Sequence, residues 1–400
     1  MSGMPRVAIV GGSIGGLTAA LVLRDVGCEV DVYERSTAEL EARGAGIVSH
    51  PVTVRYFEEN RPLDVDRVMV RLPWLRFLER DGGTLYEEQR NYRFTSWNTL
   101  YRNLLAHFDT DRYHLGYEMV GLDQDADQAT VHFADGGAIS ADLVVCADGV
   151  SSRTRAILQP HIEPRYAGYV AWRGTIPESG LSGPTAERLG DAITYHLTDE
   201  GHILMYPIPG LHDELEPGSR IQGFVWYHNY AEGTELDDLL TDRTGLRRES
   251  SVPPGLMRDE YVAWTKQYAA ERFPAVVTEA VTRIANPFVQ VIFDVAVDRM
   301  AFGRICLIGD GAMAVRPHAG AGTAKACADA WSLGDALTET DGDVLDALAA
   351  WEPRQRELGY ALLERARWIG DGSQFRHDWV PGDPRLRFGL YEAGDAVFPE

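Results

Sequence analysis

The sequence predicts an α/β fold. A Rossmann-like nucleotide-binding domain is interrupted by an inserted mixed or antiparallel sheet and followed by C-terminal helices. Three observations carry this. Gly11-Gly12-Ser13-Ile14-Gly15-Gly16 follows an opening apolar run. Ala147-Asp148-Gly149 and Gly309-Asp310-Gly311 each close a later apolar run, so glycine and aspartate recur where buried strands end. Between these two, from Tyr166 to about Tyr230, the texture changes to aromatic-rich strands.

The elements follow in chain order. Arg6–Val10 is a short continuous apolar strand, the kind buried on both faces of a parallel sheet. Leu17, Ala20, Leu21, Leu23 and Val26 fall at helical spacing, and Glu29–Tyr33 reads as a second strand ending at Glu34, which completes a βαβ unit. A helix is expected from Pro51 to Asn60, a hairpin over 74–90 around Gly82-Gly83, and a helix from about Asn98 to Phe108. Strands Thr130–Ala134 and Ala138–Cys146 flank the turn signal Asp135-Gly136-Gly137. The inserted sheet contains Tyr169–Trp172, Ile203–Tyr206 and Gln222–His228. Helices near Asp259–Ala270 and Ala275–Ile284 and a strand Val289–Val297 lead back to the first domain. A helix after Gly322, another from Val344 to Ile369 and a Gly/Pro/Asp-rich tail lying irregularly over the surface finish the chain. The expected division is 1–73, 96–165 and 298–340 for the nucleotide-binding domain, 74–95 and 166–297 for the substrate domain, and 341–400 for the C-terminal helix and tail.

Composition narrows the function classes. A net charge of -22 over 400 residues repels phosphate backbones and argues against nucleic-acid binding. Cys28, Cys146, Cys306 and Cys327 show no C-x-x-C spacing and read as buried reduced thiols, in keeping with a cytoplasmic setting. The first strand begins close to Met1, and no apolar stretch reaches the roughly 18–20 residues of a membrane span, so neither a leader nor a membrane anchor is expected. The histidines lack metal-ligand spacing, and no metal is expected.

The chemistry lies in the three motifs. Gly11 allows the tight turn and Gly16 the close packing of helix on strand, while the free N–H groups at Ile14, Gly15 and Gly16 suit a pyrophosphate. Ser13 replaces the usual middle glycine. Glu34, with Arg35 beside it, ends the second strand where a carboxylate accepts ribose hydroxyls. Asp148-Gly149 and Gly309-Asp310 place acids at the ligand-binding edge of a parallel sheet. One extended ligand with a pyrophosphate, a ribose and a polyol fits all three: FAD.

Gly11–Gly16, Glu34, Gly44-Ala45-Gly46-Ile47, the run from Ala147 to Arg155, and Leu307–Ala312 with Pro317 and Gly320-Ala321-Gly322 resemble the flavin-dependent aromatic hydroxylases. Gly168–Gly174, Tyr206–Gly210, Val297–Met300 and Arg316–Ala319 resemble most the pyridine-hydroxylating members. The resemblance implies the aromatic hydroxylase fold, with Asp310 on the flavin ribityl chain and the backbone around Pro317, Gly320 and Gly322 cradling the ring. It assigns Asp148, Gly149 and Arg155 to a motif that contacts both FAD and NAD(P)H. It further implies that NADH or NADPH reduces FAD, that O₂ adds to the reduced ring, and that an electrophilic oxygen passes to an electron-rich substrate kept from water. Trp97 stands where the family often has arginine, with Arg102 as the nearby alternative charge.

The expected function is therefore hydroxylation of a small hydroxylated aromatic or N-heteroaromatic ring of the dihydroxypyridine type, by a protein with a possible homodimeric assembly. Two other readings share the motifs: an FAD-binding protein without turnover, and a monooxygenase of a salicylate-like phenol. His50 is the first candidate base, since a histidine pKa near 6.5 suits proton transfer at neutral pH. Tyr206, before Pro207, is the second catalytic candidate, as a hydrogen-bond partner of a ring oxygen. Trp172, Trp226 and Phe293 are candidate pocket walls, with His318 in the flavin-ring loop. Arg173 and Arg316 are candidates for an anionic substrate or nicotinamide phosphates.

Overall fold

The computed structural model describes residues 3–40, 46–59 and 64–398. Its first layer is a six-stranded sheet in the order Ala301–Phe302, Ile305–Leu307, Leu143–Cys146, Arg6–Val10, Glu29–Glu34, Tyr113–Leu115. All neighbours are parallel except the first pair. The opening apolar run takes the centre because it is buried on both faces, which only a strand covered above and below tolerates. Helix Ile14–Asp25 packs closely on helix Gly322–Glu339: a Cβ at Gly334 would stand 2.6 Å from Val22.

The expected strand Ala138–Cys146 divides in two at Asp142. Ala138–Ala141 joins a three-stranded antiparallel sheet with Met119–Gln124 and Ala129–Phe133. Leu143–Cys146 enters the parallel sheet instead. The Asp142 N–H donates to the Arg6 carbonyl, and the Asp142 carboxylate accepts from the Arg6 N–H, which fixes the break.

The inserted sheet has nine strands in the order Ser251–Val252, Phe288–Asp294, Arg165–Pro177, Ile221–Asn229, Gly201–Ile208, Ala192–Thr198, Val70–Leu78, Thr84–Ser96, Gly46–Val48. It is antiparallel except where Ala192–Thr198 meets Val70–Leu78. Ala192–Thr198 and the helix Gly183–Leu189 before it escaped the sequence reading. Gly46–Val48 also joins this sheet as its edge strand; Gly44 and Ala45 lie outside the described residues.

One face of the nine-stranded sheet packs on helices Asp259–Arg272 and Ala275–Arg283, burying Trp172, Trp226, Phe273 and Val281. The opposite face turns toward the parallel sheet and is built from Tyr169, Ala171, Leu204, Tyr206, Val225 and Tyr227. The C-terminal tail does more than lie over the surface. Phe388, Leu390 and Ala396 are buried, and the Gly389 N–H donates to the Ala319 carbonyl, so the tail is part of the core beside the Pro317–Gly322 loop. Among the described residues no helix is long and apolar enough to cross a membrane.

Candidate active site

The three motifs meet in space at the C-terminal ends of adjacent parallel strands. Gly11 has φ +101°, and a Cβ there would stand 2.4 Å from the Ala147 carbonyl oxygen, so the first motif closes directly on the second. A Cβ at Gly16 would stand 1.9 Å from the Gly11 oxygen, and one at Gly12 2.2 Å from the Tyr113 hydroxyl. No side chain fits at any of these points. Ser13 is the N-cap of the helix that begins at Ile14, and its hydroxyl makes no capping hydrogen bond, which leaves the first-turn N–H groups to an outside anion.

The acids divide into braces and a free group. Glu34 is buried and accepts from the N–H groups of Gly12 and Ser36, both at 2.9 Å, so it holds the turn itself. Arg35 is exposed beside it. Asp148 accepts from the Ser152 hydroxyl at 2.6 Å and the Thr154 N–H at 2.9 Å, holding the loop around Gly149, which has φ +76°. Arg155 is buried and donates to the carbonyls of Gly311 and Val150, tying the second motif to the third. Asp310 alone is exposed, facing a cleft.

A buried ion pair stands behind this edge. Lys325 Nζ lies 2.7 Å from Asp329 Oδ2, and that same oxygen accepts the Gly309 N–H at 2.9 Å. The pair orients the Gly309 turn, which adopts φ +60°. Sequence reasoning passed over it. Its signal was present: one of only two lysines stands four residues before an aspartate, the spacing that brings side chains together on a helix.

The cleft, about 230 Å³, runs between the parallel sheet's edge and the nine-stranded sheet. Val315, Pro317, Gly320, Ala321, Gly322 and Thr323 form one wall; Arg173, Leu204, Tyr206, Val225 and Tyr227 form the other. Gly46, Ile47, Val48, Phe94 and Phe388 close the sides. Gly320 has φ +64°, and a Cβ there would meet Phe388 and Val48 at 2.8 Å. At Gly46 a Cβ would stand 2.3 Å from the Tyr206 ring.

Tyr206, the second catalytic candidate, stands in the cleft wall, and burial raises its pKa. His50 does not line the cleft. Its ring is buried behind the loop, with Nε2 2.9 Å from the Gly320 carbonyl and Nδ1 4.0 Å from Asp395, and burial lowers its pKa. Trp172 and Trp226 are corrected from pocket walls to core. Strand side chains alternate, so Arg173 in the cleft puts Trp172 on the far face, where Trp226 stacks on Trp264 and Trp172 packs against it at a tilt. Phe293 packs on the same helix-facing cluster. His318 is buried one layer behind the cleft, with Nε2 2.8 Å from the Tyr169 hydroxyl and its ring 4.5 Å from that of Tyr227. Arg316 is no free anion site: Asp294 and Asp371 pair with it. Arg102 is likewise engaged by Asp213.

A turn that excludes Cβ atoms at three points, uncapped N–H groups, a free Asp310 and a glycine-walled cleft fit FAD laid from the first motif toward the nine-stranded sheet. These features define a flavoprotein that brings its ring against an aromatic-lined pocket. Comparison with known proteins agrees. A family model described as FAD binding domain-like matches residues 166–294. The chain is 39% identical, over 96% of its length and 96% of the relative's, to 2,6-dihydroxypyridine 3-monooxygenase of Paenarthrobacter nicotinovorans. It superposes on the solved structure of 2,6-dihydroxypyridine-3-hydroxylase from Arthrobacter nicotinovorans with a TM-score of 0.93 and 38% identity, covering 98% of both chains. It is 28% identical to the FAD-dependent urate hydroxylase of Mycolicibacterium vanbaalenii over 90% of this chain and 87% of that one. The chain belongs to the FAD-dependent aromatic-ring monooxygenases, enzymes that use NAD(P)H and O₂.

Proposed function

We propose that this enzyme hydroxylates a small, flat N-heteroaromatic ring of the 2,6-dihydroxypyridine type. The supporting observation is the 39% identity, spread over 96% of both chains, with an enzyme named for that substrate. The cleft is in keeping with it: the sheet wall offers two phenols and one guanidinium among aliphatic side chains.

In this reading the turn Gly11–Gly16 holds the pyrophosphate, Asp310 the ribityl chain, and Pro317–Gly322 the flavin ring. Bound FAD supplies the redox chemistry, taking a hydride from NADH or NADPH and activating O₂ for transfer to the substrate. The chain's own work is placement and exclusion. Tyr206 and Tyr227 have pKa values raised by burial, so both remain O–H donors at neutral pH and orient a ring oxygen. Val48, Phe94, Val315 and Phe388 keep water from the reacting centre. His50 holds the Gly320 carbonyl and acts through the loop it positions. Four buried, unpaired cysteines support a reducing, cytoplasmic setting.

The test is NAD(P)H oxidation by the FAD-loaded enzyme with 2,6-dihydroxypyridine and, in parallel, salicylate. Stimulation by the dihydroxypyridine with a product heavier by one oxygen is the expected result. Stimulation by salicylate alone, or FAD binding with no NAD(P)H oxidation under either ligand, would overturn the reading.

A further inference from the structure

Arg173 is the cleft's unmatched charge. Its strand pairs with Ile221–Asn229, Arg173 opposite Val225, and Val225 in turn lies opposite Leu204 of the next strand. One row of the sheet floor thus runs Arg173, Val225, Leu204, all three lining the cleft. Among the described residues no carboxylate lies within ion-pair distance of Arg173, and its Nε is buried without a hydrogen-bond partner. Of the buried guanidiniums, Arg76 is paired by Glu87 and Asp191, Arg220 by Glu178 and Arg316 by Asp294 and Asp371, while Arg155 donates to the Gly311 and Val150 carbonyls and does not line the cleft.

Arg173 is half-buried, and a guanidinium at a cleft wall with no carboxylate beside it favours an anion docking there. The neighbours fit an anion as well. Tyr206 and Tyr227 both feel the Arg173 charge, and both present neutral hydroxyls that can only donate to an ionised oxygen. The carboxylate in the cleft lining, Asp310, comes from the loop after Ile305–Leu307, near Lys325. Among the described residues no histidine lines the cleft.

We propose that Arg173 is the counter-charge of an ionised ring oxygen, so that the cleft binds its substrate as a hydroxylated heteroaromatic anion. The proposal rests on the ring-hydroxylase reading and deepens it. The hydroxyl proton leaves to solvent as the ligand binds, and the electron-rich ring that hydroxylation needs is held by a fixed charge instead of being generated by a side-chain base. Selectivity then follows acidity. Rings that ionise near neutral pH are favoured over a plain phenol, which, like tyrosine, ionises near pH 10.

Oxidised, FAD-loaded enzyme without NAD(P)H allows binding to be read with no turnover. The probes are 2,6-dihydroxypyridine, urate and phenol, titrated from pH 5 to 9 and followed by ligand ultraviolet absorbance and flavin absorbance. For wild type we expect the ionised-ligand spectrum in the complex, with the ligand's ionisation midpoint lowered by about one to three pH units on binding. Arg173→Gln should remove that displacement and weaken anion binding at least ~10-fold, Arg173→Lys should fall between, and FAD affinity should hold in both. Unchanged anion affinity and midpoint in Arg173→Gln would overturn the proposal, as would a loss of FAD affinity in its place. If urate binds as its anion and loses that binding in Arg173→Gln while 2,6-dihydroxypyridine fails to bind wild type, the proposal stands and the dihydroxypyridine assignment falls. If no ring binds wild type as an anion, Arg173 is not the counter-charge.

Discussion

The two faces of the nine-stranded sheet are cut from the same strands and do opposite work. Along Arg165–Pro177, Val170, Trp172 and Ile176 face the helices, while Tyr169, Ala171 and Arg173 face the cleft side. Along Gly201–Ile208, Ile203 and Met205 face the helices, whereas Leu204 and Tyr206 face the cleft. The helix face is dry and aromatic: Trp226 stacks on Trp264 with centroids 5.4 Å apart and lies 4.5 Å from Tyr268. The cleft face keeps phenols, the His202 imidazole and a guanidinium where solvent is scarce. Stability is concentrated on one side and chemistry on the other, with a single residue's step in register between them.

The largest effect that tests this division is truncation on the helix face. Trp226 is fully buried, and Trp226→Ala should cost ~3–5 kcal/mol through lost burial and the cavity left behind. Urea denaturation followed by circular dichroism measures it. The folded fraction should keep wild-type ligand affinity, because Trp226 does not reach the cleft. A variant of normal stability with impaired ligand binding would place Trp226 in the pocket after all and dissolve the comparison.

That tryptophan also shows what was legible in the sequence. The βαβ opening, the turn at Gly11–Gly16 and the strand-ending acids could be read because local chain sterics and burial dictate them: Gly16 has no room for a Cβ whatever surrounds it. Which face of an aromatic strand meets solvent is a different kind of fact. In Tyr169-Val170-Ala171-Trp172-Arg173 both faces carry aromatic or apolar residues, so alternation gives two phases and nothing local chooses between them. The choice is made by helices Asp259–Arg272 and Ala275–Arg283, some hundred residues later. Arg173 was the usable clue, since a guanidinium next to a tryptophan assigns the tryptophan to the other face. The place of His50 was hidden for a related reason. It follows the stretch Gly44–Ile47 in sequence, but its hydrogen-bond partner, Gly320, is 270 residues away. The tail was misjudged by composition: Phe388 and Leu390 are buried amid glycine, proline and aspartate.

A second, intermediate effect is set by pH, and it falls unevenly on the two faces. His50, His202 and His318 are buried on the cleft side, while His196 is buried beside Phe273 on the helix side. Burial lowers the pKa of all four, that of His202 to about 3. An unfolded histidine titrates near 6.5. Between that value and about 3 the unfolded chain therefore binds a proton at His202 that the folded chain refuses. Stability is full above ~6.5 and falls with acidification, by at most ~1.4 kcal/mol per pH unit for each such histidine. Urea midpoints at a series of pH values give the slope. His202→Gln should reduce proton uptake on unfolding by about one between pH 6 and 4, whatever it does to stability at neutral pH. An unaltered slope would mean that His202 is protonated in the folded state.

The smallest expected effect concerns the boundary between the cleft and what stands behind it. If His50 were the proton acceptor of the reaction, His50→Gln would abolish the ionisation near neutrality that governs turnover. The geometry argues for a different role. Its ring is 2% exposed, Nε2 is taken by the Gly320 carbonyl, and Nδ1 faces Asp395 of the tail. A glutamine amide can still donate to that carbonyl, so His50→Gln should leave the pH profile of kcat in place and change kcat by less than about threefold. His50→Ala removes the donor and leaves the Gly320 carbonyl short of a partner, a loss of about 1–3 kcal/mol at a buried group. Because that carbonyl belongs to the loop that forms the cleft wall, the loss should appear as weaker FAD binding, measured by flavin fluorescence, with the pH profile again unmoved. Retention in glutamine and loss in alanine is the signature of a residue that holds the loop. A pH profile that changes in both variants would return His50 to the reaction itself, and would require its ring to reach the cleft by a movement that breaks the bond to Gly320.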